Sequence, residues 1–222
     1  LAPSTKTLIA GGGDFAKGSY GARNFHFGVR EHAMTGIING MALSKLRPYG
    51  AGFLIFSDYA RGSIRLGCVM ELPVIHCFTH DSIAVGEDGP THQPIEQAMS
   101  LRAIPHMIVI RPGDANEVAE AWRVVMEQKK NPVALLLTRQ VVPTLDRTKF
   151  ASAAGLRQGG YILSDCDGQP QIILIGTGSE LSLCVEAGEK LKAEGIKGRI
   201  VSLPSFELFE RQPREYRESV LP

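Results

Sequence analysis

The stretch PVIHCFTHDSIAVGEDGPTHQP, residues 73–94, changes character at Thr79. Up to that point it is short, continuous and apolar, as a strand covered on both faces of a sheet must be. Beyond it the chain becomes a long polar loop with His80 and His92, the acids Asp81, Glu87 and Asp88, and glycines that free the backbone. A buried strand that empties into such a loop fits a helix-covered parallel sheet, whose functional groups gather at the carboxyl ends of its strands.

The flanking sequence extends the pattern in both directions. Met34, Ile37, Ile38 and Met41 recur at the spacing of one helix face and predict a helix from Arg30 to Leu46, with Glu31 in or near its first turn. After the turn Pro48-Tyr49-Gly50, the apolar run Phe53-Leu54-Ile55-Phe56 predicts a strand, and residues 59–70 a helix. Residues 94–103 read as helix and 107–111 (MIVIR) as strand. Asp114 followed by Glu117 reads as the capped start of a helix ending near Lys129. Strand 133–139 (VALLLTR) closes the series. Strands alternating with helices give the fold class: α/β, a parallel sheet flanked by helices. Upstream, Leu8-Ile9-Ala10 reads as a short strand running into the turn Gly11-Gly12-Gly13.

Residues 140–158 lose the pattern and carry Pro143, Ser152 and Gly155, so an inter-domain linker is placed at 146–158, after a first domain of 1–145. A second α/β unit follows, with strand 171–176 (QIILIG), helix 179–194 and strand 199–203 (RIVSL). So few strands cannot bury their faces, and 159–222 is expected to be a partial domain. Residue 1 is Leu and the chain stops in mid-pattern at Ser219-Val220-Leu221-Pro222, from which a processed or partial chain is expected.

Composition narrows the function classes. Lys and Arg total 24 against 23 Asp and Glu, giving a net charge of +1, so neither a nucleic-acid-binding stripe nor a polybasic membrane patch is implied. No apolar run approaches the roughly twenty residues of a membrane span, and no charged-then-apolar leader pattern opens the sequence; a cytoplasmic protein is expected. Cys68, Cys77, Cys166 and Cys184 lack C-x-x-C spacing and read as buried reduced thiols.

Several segments could carry chemistry. The 79–94 loop reads either as a ligand site or as a surface loop whose Asp and Gly residues only build turns. A zinc site is disfavoured, because His80 and His92 lack the spacing of H-E-x-x-H and no cysteine joins them. Gly11-Gly12-Gly13 and Gly176-Thr177-Gly178-Ser179 could cradle an anion or simply turn the chain. Phe53, Phe56 and Tyr59 could be core or could contact a flat cofactor, and Glu31 could do no more than complement its helix dipole.

GVREHAMTGIINGMA (28–42), FLIFSDYARGSIRL (53–66), THDSIAVGEDGPTHQPIE (79–96) and LLLTRQ (135–140), in this order and spacing, closely resemble transketolases; the unbroken GEDGPTHQP is the most specific of them. The resemblance spans almost the whole chain and implies the pyrimidine-binding domain followed by the start of the C-terminal domain. It implies thiamine diphosphate as cofactor and transfer of a two-carbon ketol unit from a ketose phosphate to an aldose phosphate. Glu31 would share a proton with the aminopyrimidine ring nitrogen, Phe56 would stack on that ring, and Phe53 and Tyr59 would complete the pocket wall. His80 and Arg139 would hold the sugar phosphate, Asp88 would read the ketose C2 hydroxyl, and His92 would assist proton transfer at the reacting carbons.

The resemblance also implies a homodimer with sites at the subunit interface, or a complex with a diphosphate-binding chain. Mg²⁺ would be held by the preceding domain, which this chain does not include, as would an arginine that contacts phosphate. One position departs from the pattern: Gly12 stands where many relatives carry a phosphate-binding serine, so a weaker phosphate grip is expected. A subunit of another thiamine diphosphate enzyme, such as a deoxyxylulose phosphate-type synthase or a pyruvate dehydrogenase β-like chain, and a non-catalytic dimerisation fragment are the alternatives.

Overall fold

In the computed structural model, which describes residues 2–222, four parallel strands form the first sheet: β1 (Tyr49–Phe53), β2 (Ile75–Thr79), β3 (Ile108–Ile110) and β4 (Val133–Leu136). Their order is β1-β2-β4-β3, so the last strand in sequence lies inside the sheet. Strands β2, β3 and β4 are buried along their whole length, which is why they read as continuous apolar runs.

Alternation divides their side chains between two cores. On one face Phe78, Val109, Ala134 and Leu136 pack with Ile64 of helix α3 (Ser57–Val69) and Leu101 of helix α4 (Gln97–Arg102). On the other, Ile75, Cys77, Ile108, Ile110, Val133 and Leu135 pack with Ala121, Val124 and Val125 of helix α5 (Ala115–Glu127). Each large side chain so enclosed contributes roughly 1.5–3 kcal/mol relative to exposure. No helix among the described residues is long and apolar enough to cross a membrane.

After the short helix α1 (Ala2–Thr5), helix α2 runs Glu31–Leu43. Of its expected apolar stripe, Met34 and Ile38 are buried, whereas Ile37 is 45% exposed. Together with Leu66 and Val69 of α3 it leaves apolar side chains on the outer surface.

Two expected strands are not strands. β1 ends at Phe53, and Leu54–Phe56 form one turn of 3₁₀ helix leading directly into α3. Leu54 is fully buried, and apolar continuity alone does not separate a strand from a buried turn beneath it. Residues 8–10 join no sheet; the Asn24 side chain instead accepts from the Ile9 amide at 2.9 Å and donates to its carbonyl at 3.1 Å, replacing a strand partner.

The second unit contains β5 (Tyr161–Ser164), β6 (Ile172–Gly176) and β7 (Gly198–Ser202) in the order β5-β7-β6, with helix α6 (Glu180–Ala193) between β6 and β7. β6 pairs parallel with β7, whereas β5, absent from the sequence reading, pairs antiparallel. Helices α7 (Phe206–Glu210) and α8 (Arg214–Val220) follow. Within residues 146–158, which are mostly exposed, Ala153–Gln158 form a 3₁₀ helix whose Leu156 is fully buried against the α5 core.

A buried polar network joins the two sheets. Glu117 in α5 accepts from Gly113 N at 2.7 Å, from Tyr161 Oη at 2.7 Å and from Ser202 Oγ at 2.6 Å. Arg147 donates to Tyr161 Oη at 3.0 Å and forks onto both oxygens of Asp114, the α5 N-cap, at 2.9 Å. Burial, then the Glu117 carboxylate, push the Tyr161 hydroxyl well above its ordinary pKa.

Candidate active site

The 3₁₀ turn after β1 builds the first wall. Residues three apart on such a turn eclipse one another, and Phe53 and Phe56 lie with ring centroids 6.1 Å apart at 13°. The same spacing continues into α3, where Tyr59 lies 6.0 Å from Phe56 at 25°. The spacing 53, 56, 59 thus yields a shelf of near-parallel rings, and Tyr59 at its end is 67% exposed.

β2 supplies the second wall. His80, one residue past its carboxyl end, is buried, takes a left-handed backbone (φ 59°) and lays its ring on Phe53 at a centroid distance of 3.7 Å. Its Nδ1 shares a hydrogen bond of 2.9 Å with Thr79 Oγ1, which leaves Nε2 for a ligand. Burial foremost, and then the Arg139 cation, hold the imidazole below its ordinary pKa, against the opposing pull of Asp88 and Asp81.

The 79–94 loop then folds back. Turn hydrogen bonds Gly89 N to Gly86 O and His92 N to Gly89 O return it over the shelf, and Gln97 anchors its end to Asp58 of α3 at 2.8 Å. His92 stands edge-on to Phe56 at 5.3 Å and to Phe53 at 6.2 Å. Just beyond β4, Thr138 and Arg139 complete the ring.

Phe53, His80, Asp88, His92 and Arg139 therefore converge on one cavity of about 600 Å³. Phe56 and Tyr59 continue its shelf. Glu31 is not in that wall: it is the first residue of α2, half-buried, and lines a larger neighbouring cavity of about 930 Å³ with Phe25, Phe27, Met34 and Gly52. The two cavities share Thr5. The Glu31 carboxylate makes no hydrogen bond among the described residues; only its main-chain carbonyl is engaged, by Thr35.

The sequence reading missed Ser4, Thr5 and Lys6, which line the smaller cavity, and the threonines Thr79 and Thr138 beside His80 and Arg139. The paired T-H and T-R at two strand ends were a usable signal; the aperiodic N-terminal segment offered none. Gly11–Gly13 line neither cavity. At Gly12 an added Cβ would lie 3.0 Å from Ile9 O and 3.2 Å from Asn24 Nδ2, so the position is filled by the Asn24 clasp. Among the described residues no group of three or more His, Cys, Asp or Glu side chains is placed to hold a metal ion. Cys68 and Cys77 are buried, their thiols pushed up to about 11 and about 12 by burial, while Cys166 and Cys184 are partly exposed.

Comparison with known proteins identifies the family of the chain. Residues 1–144 match the family model for the transketolase pyrimidine-binding domain and residues 159–222 that for the transketolase-like C-terminal domain. A transketolase of Nostoc sp. is 58% identical over 226 residues, covering 100% of this chain and 33% of the relative. The crystal structure of a Pichia stipitis transketolase in complex with sedoheptulose 7-phosphate superposes with a TM-score of 0.94 at 43% identity, again over 100% of this chain and 33% of that one. A split-gene transketolase, described as an inactive β4 tetramer, matches with a TM-score of 0.72 at 29% identity, over 93% of this chain and 63% of its own. The chain spans about a third of the length of the curated relatives it matches. With both of its parts matched in order, the chain belongs to the transketolase family.

Proposed function

We propose that this chain is the part of a transketolase that binds the cofactor's aminopyrimidine and the sugar phosphates, in an enzyme moving a two-carbon ketol unit from a ketose phosphate to an aldose phosphate. The observation that carries this reading is the convergence of Phe53, His80, Asp88, His92 and Arg139 on one cavity at the carboxyl ends of the strands. When bound, thiamine diphosphate supplies the carbanion chemistry. The residues fit its pyrimidine end: a shelf of near-parallel aromatic rings suits a flat heterocycle, and a Glu31 carboxylate without an internal partner is free to share a proton with a ring nitrogen. Its diphosphate and Mg²⁺ are assigned to a domain outside this chain.

Arg139 holds the phosphate through its forked N–H groups and His80 donates from Nε2. Asp88 accepts from the ketose C2 hydroxyl, and His92, above the shelf, moves protons at the reacting carbons. The apolar residues left exposed on α2 and α3 support association with a second copy.

The test mixes the chain with a candidate diphosphate-binding polypeptide, thiamine diphosphate and Mg²⁺, and follows sedoheptulose 7-phosphate formation from xylulose 5-phosphate and ribose 5-phosphate. Turnover with the partner and none without it is expected, in parallel with the inactive β4 assembly of the split-gene relative. A second reading, a non-catalytic dimerisation module, is favoured by the separation of Glu31 from the cavity that holds His92. No turnover with any partner, alongside an intact dimer, would select it.

A further inference from the structure

The Gly176–Ser179 turn does not cradle an anion; it receives a guanidinium. Arg111, at the end of β3, donates from Nε to Asp81 Oδ2 at 2.6 Å and from Nη1 to Thr177 O at 3.0 Å, and Nη1 also pairs with Glu180 at the start of α6. Its main chain is gripped as well. Arg111 N donates to Pro204 O at 2.8 Å, and Arg111 O accepts from Gly178 N at 3.0 Å and Thr177 Oγ1 at 3.3 Å. Gly178 has φ +60°, and an added Cβ there would lie 2.6 Å from Arg111 Nε, so the turn admits the arginine only because that residue is glycine.

Asp81 directly follows His80. The backbone up to Thr79 is fixed by the β2 ladder, and the left-handed conformation of His80 persists only where its surroundings over-determine it. The Asp81 side chain is 1% exposed, and its Oδ1 has no partner among the described residues. Arg111 is therefore what keeps this carboxylate inside; without it, the turn at residues 80–82 would relax and carry Asp81 toward water.

We propose that Arg111 is a positioning residue: through Asp81 it locks the turn that aims the His80 ring into the cavity, and the second unit holds Arg111 in place for that purpose. The proposal rests on the reading of His80 as a phosphate contact. It gives the second sheet a role in the site, although none of its residues lines the smaller cavity.

The experiment uses the 222-residue chain labelled with ¹⁵N, with the His80 imidazole signals assigned through a His80→Gln variant. Inorganic phosphate is the probe. Arg111→Met is expected to move or broaden the His80 ring signals and to weaken phosphate binding by about tenfold or more, the scale of one lost hydrogen bond to a charged group. Glu180→Gln, at a half-exposed position, is expected to change the same signals in the same direction but less.

A natively folded Arg111→Met with unchanged His80 signals and unchanged phosphate affinity overturns the proposal. Should Arg111→Met fail to fold, Arg111→Lys, which keeps the charge but cannot reproduce the fork, is judged by the same two readouts. If the wild-type His80 signals ignore phosphate but respond to Arg111→Met, the positioning role stands and the phosphate reading falls.

Discussion

His76→Leu should remove an acid sensitivity built into the middle of the first sheet. His76 sits in β2 with its ring parallel to Phe78, 5.9 Å between centroids at 5°, and beside Gly50 and Ala134 in the strand register. It is fully buried, and neither ring nitrogen finds a partner among the described residues. Burial pushes its pKa down to about 4, against 6.5 for an exposed imidazole. Below 6.5 the unfolded chain takes up a proton that the folded chain refuses until about 4. The unfolded state then holds more protons, so stability rises with pH across this window and is lost as pH falls through it. At about 1.36 kcal/mol per pH unit, going from 6.5 to about 5 costs roughly 2 kcal/mol. For a chain of this size that is a fall of about 4–8 °C in Tm. Leucine has similar volume and does not titrate. Thermal unfolding of both proteins near pH 7 and near pH 5, followed by circular dichroism, should show wild type losing that much more than His76→Leu; the parallel contribution of His80 cancels in the difference. Equal losses in the two proteins would refute the reasoning and mean that His76 has a partner able to carry its proton.

Two further substitutions probe other parts of the molecule. Arg139→Ala should raise KM for ribose 5-phosphate about 10- to 100-fold in the reconstituted reaction, the value of one or two charge-assisted hydrogen bonds, while leaving KM for unphosphorylated ribose unchanged. An equal change for both sugars would remove Arg139 from the phosphate site. Arg147→Met leaves the Asp114 side chain, 1% exposed, without its forked partner and should lower unfolding free energy by about 3 kcal/mol in a urea titration. A loss below about 0.5 kcal/mol would show that the network joining the two sheets does not depend on this ion pair.

What was legible in the sequence follows from how each element is held. β2, β3 and β4 are enclosed on both faces, so their apolar runs mark them, and α5 is announced by Asp114, whose side chain accepts from Glu117 N at 2.8 Å as the cap pattern requires. The Phe53–Phe56 run was opaque because a buried 3₁₀ turn and a buried strand need the same composition. β5 was missed because Tyr161–Ser164 is short and follows Gly159 and Gly160; Gly159 is needed where an added Cβ would lie 2.2 Å from Phe209 N. The interleaving of β4 between β2 and β3 depends on pairing at long range, which periodicity does not encode. For the site, His80, Asp88 and His92 of the 79–94 loop come together with Phe53 and Arg139 on one cavity, whereas Glu31 lines another and Asp81 turns away to Arg111. The Arg111 clasp was invisible because it joins residues 30 and 69 positions apart.

The most direct measurement is the rate of sedoheptulose 7-phosphate formation by Glu31→Gln in the reconstituted enzyme. Glutamine keeps the size of the side chain at the start of α2 but cannot exchange a proton. A fall of roughly a hundredfold or more is predicted, as for removal of a general acid–base group. A rate within about threefold of wild type would contradict the proton-sharing role and, with it, the catalytic account of this chain.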